Sequence, residues 1–206
     1  MWNRKYIKLS LMTACLAPAL LFAEQPAQSH SSSWIPFSSI YGELSLPYVY
    51  SNWSNYPYDA DSAKATFTSN GEGGFSYGGV VGVEFIKHLG AELDAFHFPE
   101  ATYSDNDGGT LSSWLLDFSG RISVPIFLNT ELYVKAGVGY RSIEDSGSDF
   151  GDVSYTGPIF GAGLSYDVMA GVFLGGEYMR VPMNTQTNGA PAVNLFLLNV
   201  GYKYTL

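Results

Sequence analysis

From Ile40 onward the chain is written in short stretches in which apolar and polar residues alternate, separated by segments with no sustained period. A strand sends successive side chains to opposite faces, so alternation of period two marks a strand that meets two different environments. The last stretch, VNLFLLNVGYKYTL (193–206), shows this most plainly. Phe196, Leu198, Val200, Tyr202, Tyr204 and Leu206 share one face; Leu195, Leu197, Asn199, Gly201, Lys203 and Thr205 share the other. A terminal strand has an open edge unless it finds a partner, and pairing with the first strand would close a barrel.

Seven earlier stretches alternate in the same way. The first sets Ile40, Gly42, Leu44, Leu46 and Tyr48 against Tyr41, Glu43 and Ser45. A hairpin follows, with Gly79, Val81, Val83 and Phe85 against Val80, Gly82 and Glu84, then Ala91, Leu93 and Ala95 against Glu92, Asp94 and Phe96. Trp114, Leu116, Phe118, Gly120, Ile122, Val124 and Ile126 oppose Asp117, Ser119, Arg121 and Ser123 over about the length that crosses a bilayer. Next, Leu132, Val134, Ala136, Val138 and Tyr140 oppose Tyr133, Lys135, Gly137, Gly139 and Arg141. In the hairpin after it, Pro158, Phe160, Ala162, Leu164 and Tyr166 oppose Ile159, Gly161, Gly163, Ser165 and Asp167, and Val172, Leu174, Gly176 and Tyr178 oppose Phe173, Gly175 and Glu177. The links at 51–74, 99–113, 142–154 and 182–192 are long and polar and read as loops; those near 86–89, 127–130 and 168–170 are tight. Eight strands with long and short connections alternating predict an all-β, eight-stranded antiparallel up-and-down transmembrane barrel, with long loops outside the cell and short turns in the periplasm.

The first residues do not belong to this pattern. Arg4, Lys5 and Lys8 precede LSLMTACLAPALLFA, too short to span a bilayer and ending in a small residue, which reads as a secretory signal peptide over 1–23. A lipoprotein box at Met12–Cys15 is the rival reading, but the apolar run continues past Cys15. Polar residues 24–34 read as a periplasmic tether, and 35–206 as the barrel domain. Cleavage would remove the single cysteine, leaving no disulfide, and would delete three cations and no acid, taking the formal charge from −9 to −12. So acidic a chain is a poor partner for nucleic acid and a natural one for divalent cations.

The apolar face is the more continuous one, while the other mixes glycine, serine and charge: Glu43, Glu84, Glu92, Asp94, Asp117 and Glu177 with Arg121, Lys135 and Lys203. In hydrocarbon every backbone polar group must be paired within the protein, which a closed sheet achieves, so the oily face is expected to point to lipid. Tyr48, Tyr50, Trp114, Tyr140 and Tyr178 toward one end, and Phe85, Phe127, Tyr166, Tyr202 and Tyr204 toward the other, read as interfacial girdles. The bore of such a barrel is just wide enough to be filled by side chains, so its charges read as a structural ion-pair network, with a narrow ion path as the alternative. Glu84 and Glu92 flank the first tight turn and are expected to face each other, with Arg121 and Lys135 as counter-charges. The acids outnumber the bases, so water or protonation must balance the remainder.

GVVGVEFIKHLGAELDAFHF, ELYVKAGVGYR and GPIFGAGLSYDVMAGVFLGGEYMRV resemble the repeated hairpins of the OmpA-like transmembrane barrel family over nearly the whole chain after the leader. The chain departs from the family at Leu206, where members usually end in Phe or Tyr, and it lacks the peptidoglycan-binding domain of longer members, so anchoring to the cell wall is not implied. The resemblance implies a monomer of the bacterial outer membrane, placed there by the barrel-insertion machinery acting on the terminal strand, in contact with lipid and lipopolysaccharide. It implies a structural role with surface loops available for adhesion or host contact, no cofactor and no catalysis; Tyr58, Tyr103 and Phe150 are the candidate contact residues.

Other readings rest on smaller groups. Some eight-stranded barrels act on outer-leaflet lipid, and His97 with Ser104 or Ser112 near the rim would be the residues, although no nucleophile elbow or fixed triad spacing is present. Asp105-Asn106-Asp107-Gly108 begins like a calcium loop, but the position of the bidentate acid falls on Leu116. With Glu144, Asp145, Asp149 and Asp152 it reads as an acidic loop surface able to bridge lipopolysaccharide phosphates through divalent cations. GEGGFSYGG lacks the following Lys-Ser/Thr of a phosphate loop.

Overall fold

The computed structural model describes residues 37–51, 53, 66–104, 108–147, 152–181 and 191–206; the leader and tether lie outside these. The strands are β1 (Ser39–Ser51), β2 (Phe67–Ser69), β3 (Gly73–Phe75), β4 (Tyr77–Ile86), β5 (Leu89–His97), β6 (Ala101–Tyr103), β7 (Gly109–Phe127), β8 (Thr130–Asp145), β9 (Val153–Met169), β10 (Val172–Val181) and β11 (Val193–Thr205). Eight of them form a closed antiparallel ring in chain order, β1, β4, β5, β7, β8, β9, β10 and β11, and β11 returns to β1. The closing seam runs without a register shift from Ser39 opposite Thr205 to Ser51 opposite Val193.

The two faces lie in opposite environments. Leu46 is 65% exposed, Phe118 63% and Leu198 71%, while inward Ile159, Met179 and Leu195 are wholly buried. An unbroken apolar belt of this kind is what lipid covers and what a water-soluble surface avoids. Tyr48 packs on Phe75, Tyr77 on His97, Trp114 on Tyr140 and Tyr178 on Phe196, giving an aromatic band at the long-loop end of the belt.

The three tight turns share one construction. Their second residues, His88, Asn129 and Gly171, have φ of 74°, 65° and 78°. Beside each the ladder slips by a residue, at Glu84/Ile86, Pro125/Phe127 and Val172/Phe173, so the left-handed residue and a bulge together reverse the chain within the twist of the sheet. The freed carbonyls are taken up by the neighbouring strand: Ser123 N–H donates to His88 at 2.9 Å, Asp167 to Asn129 at 2.8 Å and Lys203 to Gly171 at 2.7 Å. Pro125 lies beside one of these bulges and beyond Ile122, the last β7 residue paired with β5, a position where proline is tolerated in a sheet.

The long links differ from the sequence reading. Residues 51–74 and 99–113 are not loop throughout: β2, β3 and β6 are built from them, β7 begins at Gly109, and β8 and β9 narrow the third link. The ladders run β2 on β6, β6 on β7 and β3 on β1. Strands three residues long are too short to show a period, so pairing with an already extended neighbour, and not local patterning, makes them strands. The result is a collar of sheet beyond the lipid belt. Trp53, Ala101, Tyr103, Leu111, Ile143 and Tyr155, with Phe67 against them, form its apolar filling.

Candidate functional site

The bore is layered. At its short-turn end, Lys203 Nζ lies 3.0 Å from Glu84 Oε1, and Ser39 donates to Glu84 Oε2. Glu84 therefore does not face Glu92, contrary to the sequence reading. Its register partner is Gly90, and Glu92 stands opposite Gly82, because the bulge at Glu84/Ile86 displaces the two carboxylates along the hairpin. The ion pair Glu84 makes instead joins β4 to β11 across β1.

The middle layer collects the remaining charges. Glu92 accepts from Arg121 Nη1 at 2.8 Å, from Lys135 Nζ at 3.3 Å and from the Tyr41 hydroxyl at 2.6 Å. Lys135, whose side chain is wholly buried, also reaches Asp94 at 2.5 Å and Glu177 at 2.8 Å; Arg121 lies 3.6 Å from Glu43. The Tyr133 hydroxyl donates to Glu177 at 2.9 Å, and the Arg121 guanidinium stacks 3.7 Å from the Tyr133 ring centre. Asp117 stands directly opposite Asp94 in register, and neither of its oxygens has a hydrogen-bond partner among the described residues. Two carboxyl groups facing across a ladder oppose pairing where both are ionised, and Lys135, bound to Asp94, is the cation that offsets this.

Two tyrosines that a search for charges passes over, Tyr41 and Tyr133, thus belong to the network. Their inward register in the alternation was the available signal. Their rings fit because each stands opposite a bare position: Tyr41 faces Gly82, Tyr133 faces Gly163 and, further round, Phe173 faces Gly201. A methyl added at Gly163 would lie 2.5 Å from Tyr133. Inward glycines are how a narrow bore admits whole aromatic rings, the same relation that lets rings shield strand glycines.

Toward the long-loop end the charged layer gives way to an apolar one, which includes Val80, Phe96, Leu115, Ile159, Met179 and Leu195. Arg141 lies at its edge, buried between Phe98 of this layer and Trp53 of the collar's filling. In the collar, Tyr103 is 2% exposed and donates to Asp145 Oδ1 at 2.8 Å, so it braces the collar and is not a surface contact residue as the sequence reading had it. Tyr58, Phe150, Asp149 and Asp105 to Asp107 lie outside the described residues.

The residues of the lipid-enzyme reading are not drawn together. His97 lies flat on Tyr77 on the outward face, Ser104 Oγ turns to the Thr66 carbonyl at 3.5 Å, and Ser112 stands opposite Glu144 on β8. At the other end Ser123 Oγ and Glu131 Oε1 both approach His88, at 3.4 and 3.8 Å, but at the same ring nitrogen. A relay requires the two groups on different nitrogens.

The terminal strand keeps Phe196, Leu198, Val200 and Tyr202 on the lipid side, with Tyr204 half-buried and Leu206 at the short-turn rim, where its N–H donates to Ser38 O at 3.0 Å.

Comparison with known proteins places this architecture. Ail, the attachment invasion locus protein of Yersinia pestis, solved in complex with the heparin analogue sucrose octasulfate, is 15% identical over 81% of this chain and 98% of its own, with a TM-score of 0.53. The N-terminal β-barrel domain of Pseudomonas aeruginosa OprF is 17% identical over 82% and 98%, with a TM-score of 0.51. Neisserial surface protein A is 17% identical over 80% and 97%, with a TM-score of 0.54. Identities this low carry the fold alone. No curated protein matches the sequence. The family model described as the outer membrane protein β-barrel domain matches residues 14–204, and with the closed eight-stranded ring this establishes that the chain belongs to that family.

Proposed function

We propose that this protein is a monomeric scaffold of the bacterial outer membrane, exported by the leader at 1–23, whose long-loop end meets ligands at the cell surface. The observation that carries this reading is the collar. β7, β8 and β9 run on past the lipid belt, β6 adds to β7 and β2 to β6, and Trp53, Tyr103 and Leu111 pack within this extension. Rigid sheet beyond the membrane is a platform, and recognition concentrates on loops that a platform presents. The filled bore supports the same reading, since its side chains bind the wall together and occupy the space a solute path would need.

Glu144, Asp145 and Asp152 stand on the collar and would meet lipopolysaccharide phosphates through divalent cations, while the outward faces of all eight ring strands meet lipid. The terminal strand, Phe196 to Leu206, is the segment offered to the insertion machinery. The sulfated ligand in the Ail structure belongs to Ail; it supports a search among polyanionic surface ligands here.

The test replaces residues 105–107 and 148–151 with Gly-Ser segments of equal length and measures attachment of expressing cells to host matrix and to immobilised sulfated polysaccharide. Binding is expected to fall while the barrel keeps its heat-dependent shift in gel mobility. Attachment by the wild type no greater than by cells lacking the protein, or undiminished attachment by the folded variant, refutes the surface reading.

A further inference from the structure

Arg141 is 1% exposed, and its environment differs from that of the other inward cations. Its guanidinium lies 5.2 Å from the Phe98 ring centre and 5.5 Å from that of Trp53. Nη1 donates to the Pro191 carbonyl at 3.0 Å and to the Tyr155 hydroxyl at 3.4 Å, Nη2 donates to the Ser113 hydroxyl at 3.4 Å, and Nε is buried without a partner among the described residues. All three acceptors are neutral. Arg121, Lys135 and Lys203 each have a carboxylate in ion-pair range, whereas among the described residues Arg141 has none. Burying an ionised group without an opposite charge is strongly unfavourable, and two aromatic faces offset only part of that.

Beside Arg141 is a cleft that Ser51, Trp53, Asn70, Phe98 and Ser113 help to line, with a free core of about 10 Å³. That is the room of one water-sized particle. Because Ser113 accepts from Arg141, its own hydroxyl hydrogen remains able to donate, and a guanidinium beside a serine hydroxyl is a donor set with affinity for a negative charge.

We infer that Arg141, with Ser113, forms a seat for a single monovalent anion at the long-loop end of the bore, taking either a free halide or one anionic oxygen of a larger group. The room selects a particle of that size. The acids around the collar, Glu100, Glu144, Asp145 and Asp152, select low charge, since they repel a dianion more than a monoanion. The inference does not depend on the loops binding a surface ligand.

The test uses full-length mature protein folded in detergent micelles, with the thermal midpoint followed by circular dichroism at constant ionic strength. Sodium fluoride, whose ion holds its hydration water tightly, is exchanged stepwise for sodium chloride or sodium methyl sulfate. In the wild type the midpoint is expected to rise by several degrees and to saturate, and in Arg141→Met to stay the same in all three salts. A response to chloride alone assigns the seat to a free ion; a response to both, with the two competing, assigns it to any anionic oxygen of fitting size. A wild type indifferent to both anions, or an Arg141→Met protein that responds as the wild type does, overturns the proposal. Should Arg141→Met fail to fold, wild-type crystals soaked in bromide decide: an anomalous peak beside the guanidinium is expected, and its absence overturns the proposal.

Discussion

Lys135 is where the interior depends most on one atom. Its Nζ lies within ion-pair distance of Glu92, Asp94 and Glu177, and none of these can turn to solvent. Removing one member of a buried ionic group leaves uncompensated charge, which typically destabilises by about 3–5 kcal/mol. Lys135→Met is expected to fall in that range in urea unfolding from lipid vesicles; a loss below about 1 kcal/mol would mean that the acids are balanced otherwise. Gly163 depends on volume and not on charge. Gly163→Val drives a side chain into the Tyr133 ring, and overpacking of this kind costs about 1–3 kcal/mol. Tyr133→Ala in the same chain should return part of that loss, a coupling that a double-mutant cycle measures.

At the scale of elements, the tight turns concentrate conformational demand at single positions. Gly171 has φ of 78°, and a Cβ there would lie 2.7 Å from the Lys203 carbonyl oxygen. A β-branched residue opposes both the left-handed backbone and that contact, so Gly171→Val should lower stability by about 1–2 kcal/mol and lower the unfolding midpoint accordingly. Asn129→Gly, in the equivalent place at φ of 65°, should be near neutral in the same measurement, which separates backbone demand from general sensitivity of the turns. The collar strands illustrate the opposite regime. β2, β3 and β6 have no alternation to announce them, and they are strands because β1 offers an edge to β3, β7 to β6, and β6 in turn to β2.

For the whole molecule, the decisive contact is the seam. Ser45 on β1 faces Asn199 on β11, both inward and buried. Facing residues of an antiparallel pair have Cα atoms about 4.5–5.5 Å apart, inside the range a disulfide spans. Ser45→Cys with Asn199→Cys, in protein produced without residues 1–23, should therefore oxidise to an intramolecular bridge that makes the boiled, unfolded chain migrate faster on gels unless reductant is added. Free thiols after oxidation of the folded protein would show that the ring does not close in this register.

The sequence by itself determined which residues face lipid and which face the bore, the eight ring strands, the three tight turns and the set of inward charges. Each of these follows from a period of two or from turn chemistry, and both are local. Which charge meets which was decided only by the tertiary structure. Glu84 meets Lys203, 119 positions away, across β1, while Glu92 gathers Arg121 and Lys135 from two further strands. Arg141 reads in the sequence as one more inward cation, and the ring sets it between Phe98 of the apolar layer and Trp53 of the collar's filling, with no acid in ion-pair range among the described residues. Tyr103 likewise reads as a loop residue until β6 pairs with β7 and turns its ring inward. The reason is common to all three. Alternation specifies a face, but height within the bore comes from the stagger between strands and from bulges at the turns, which no single stretch of chain records.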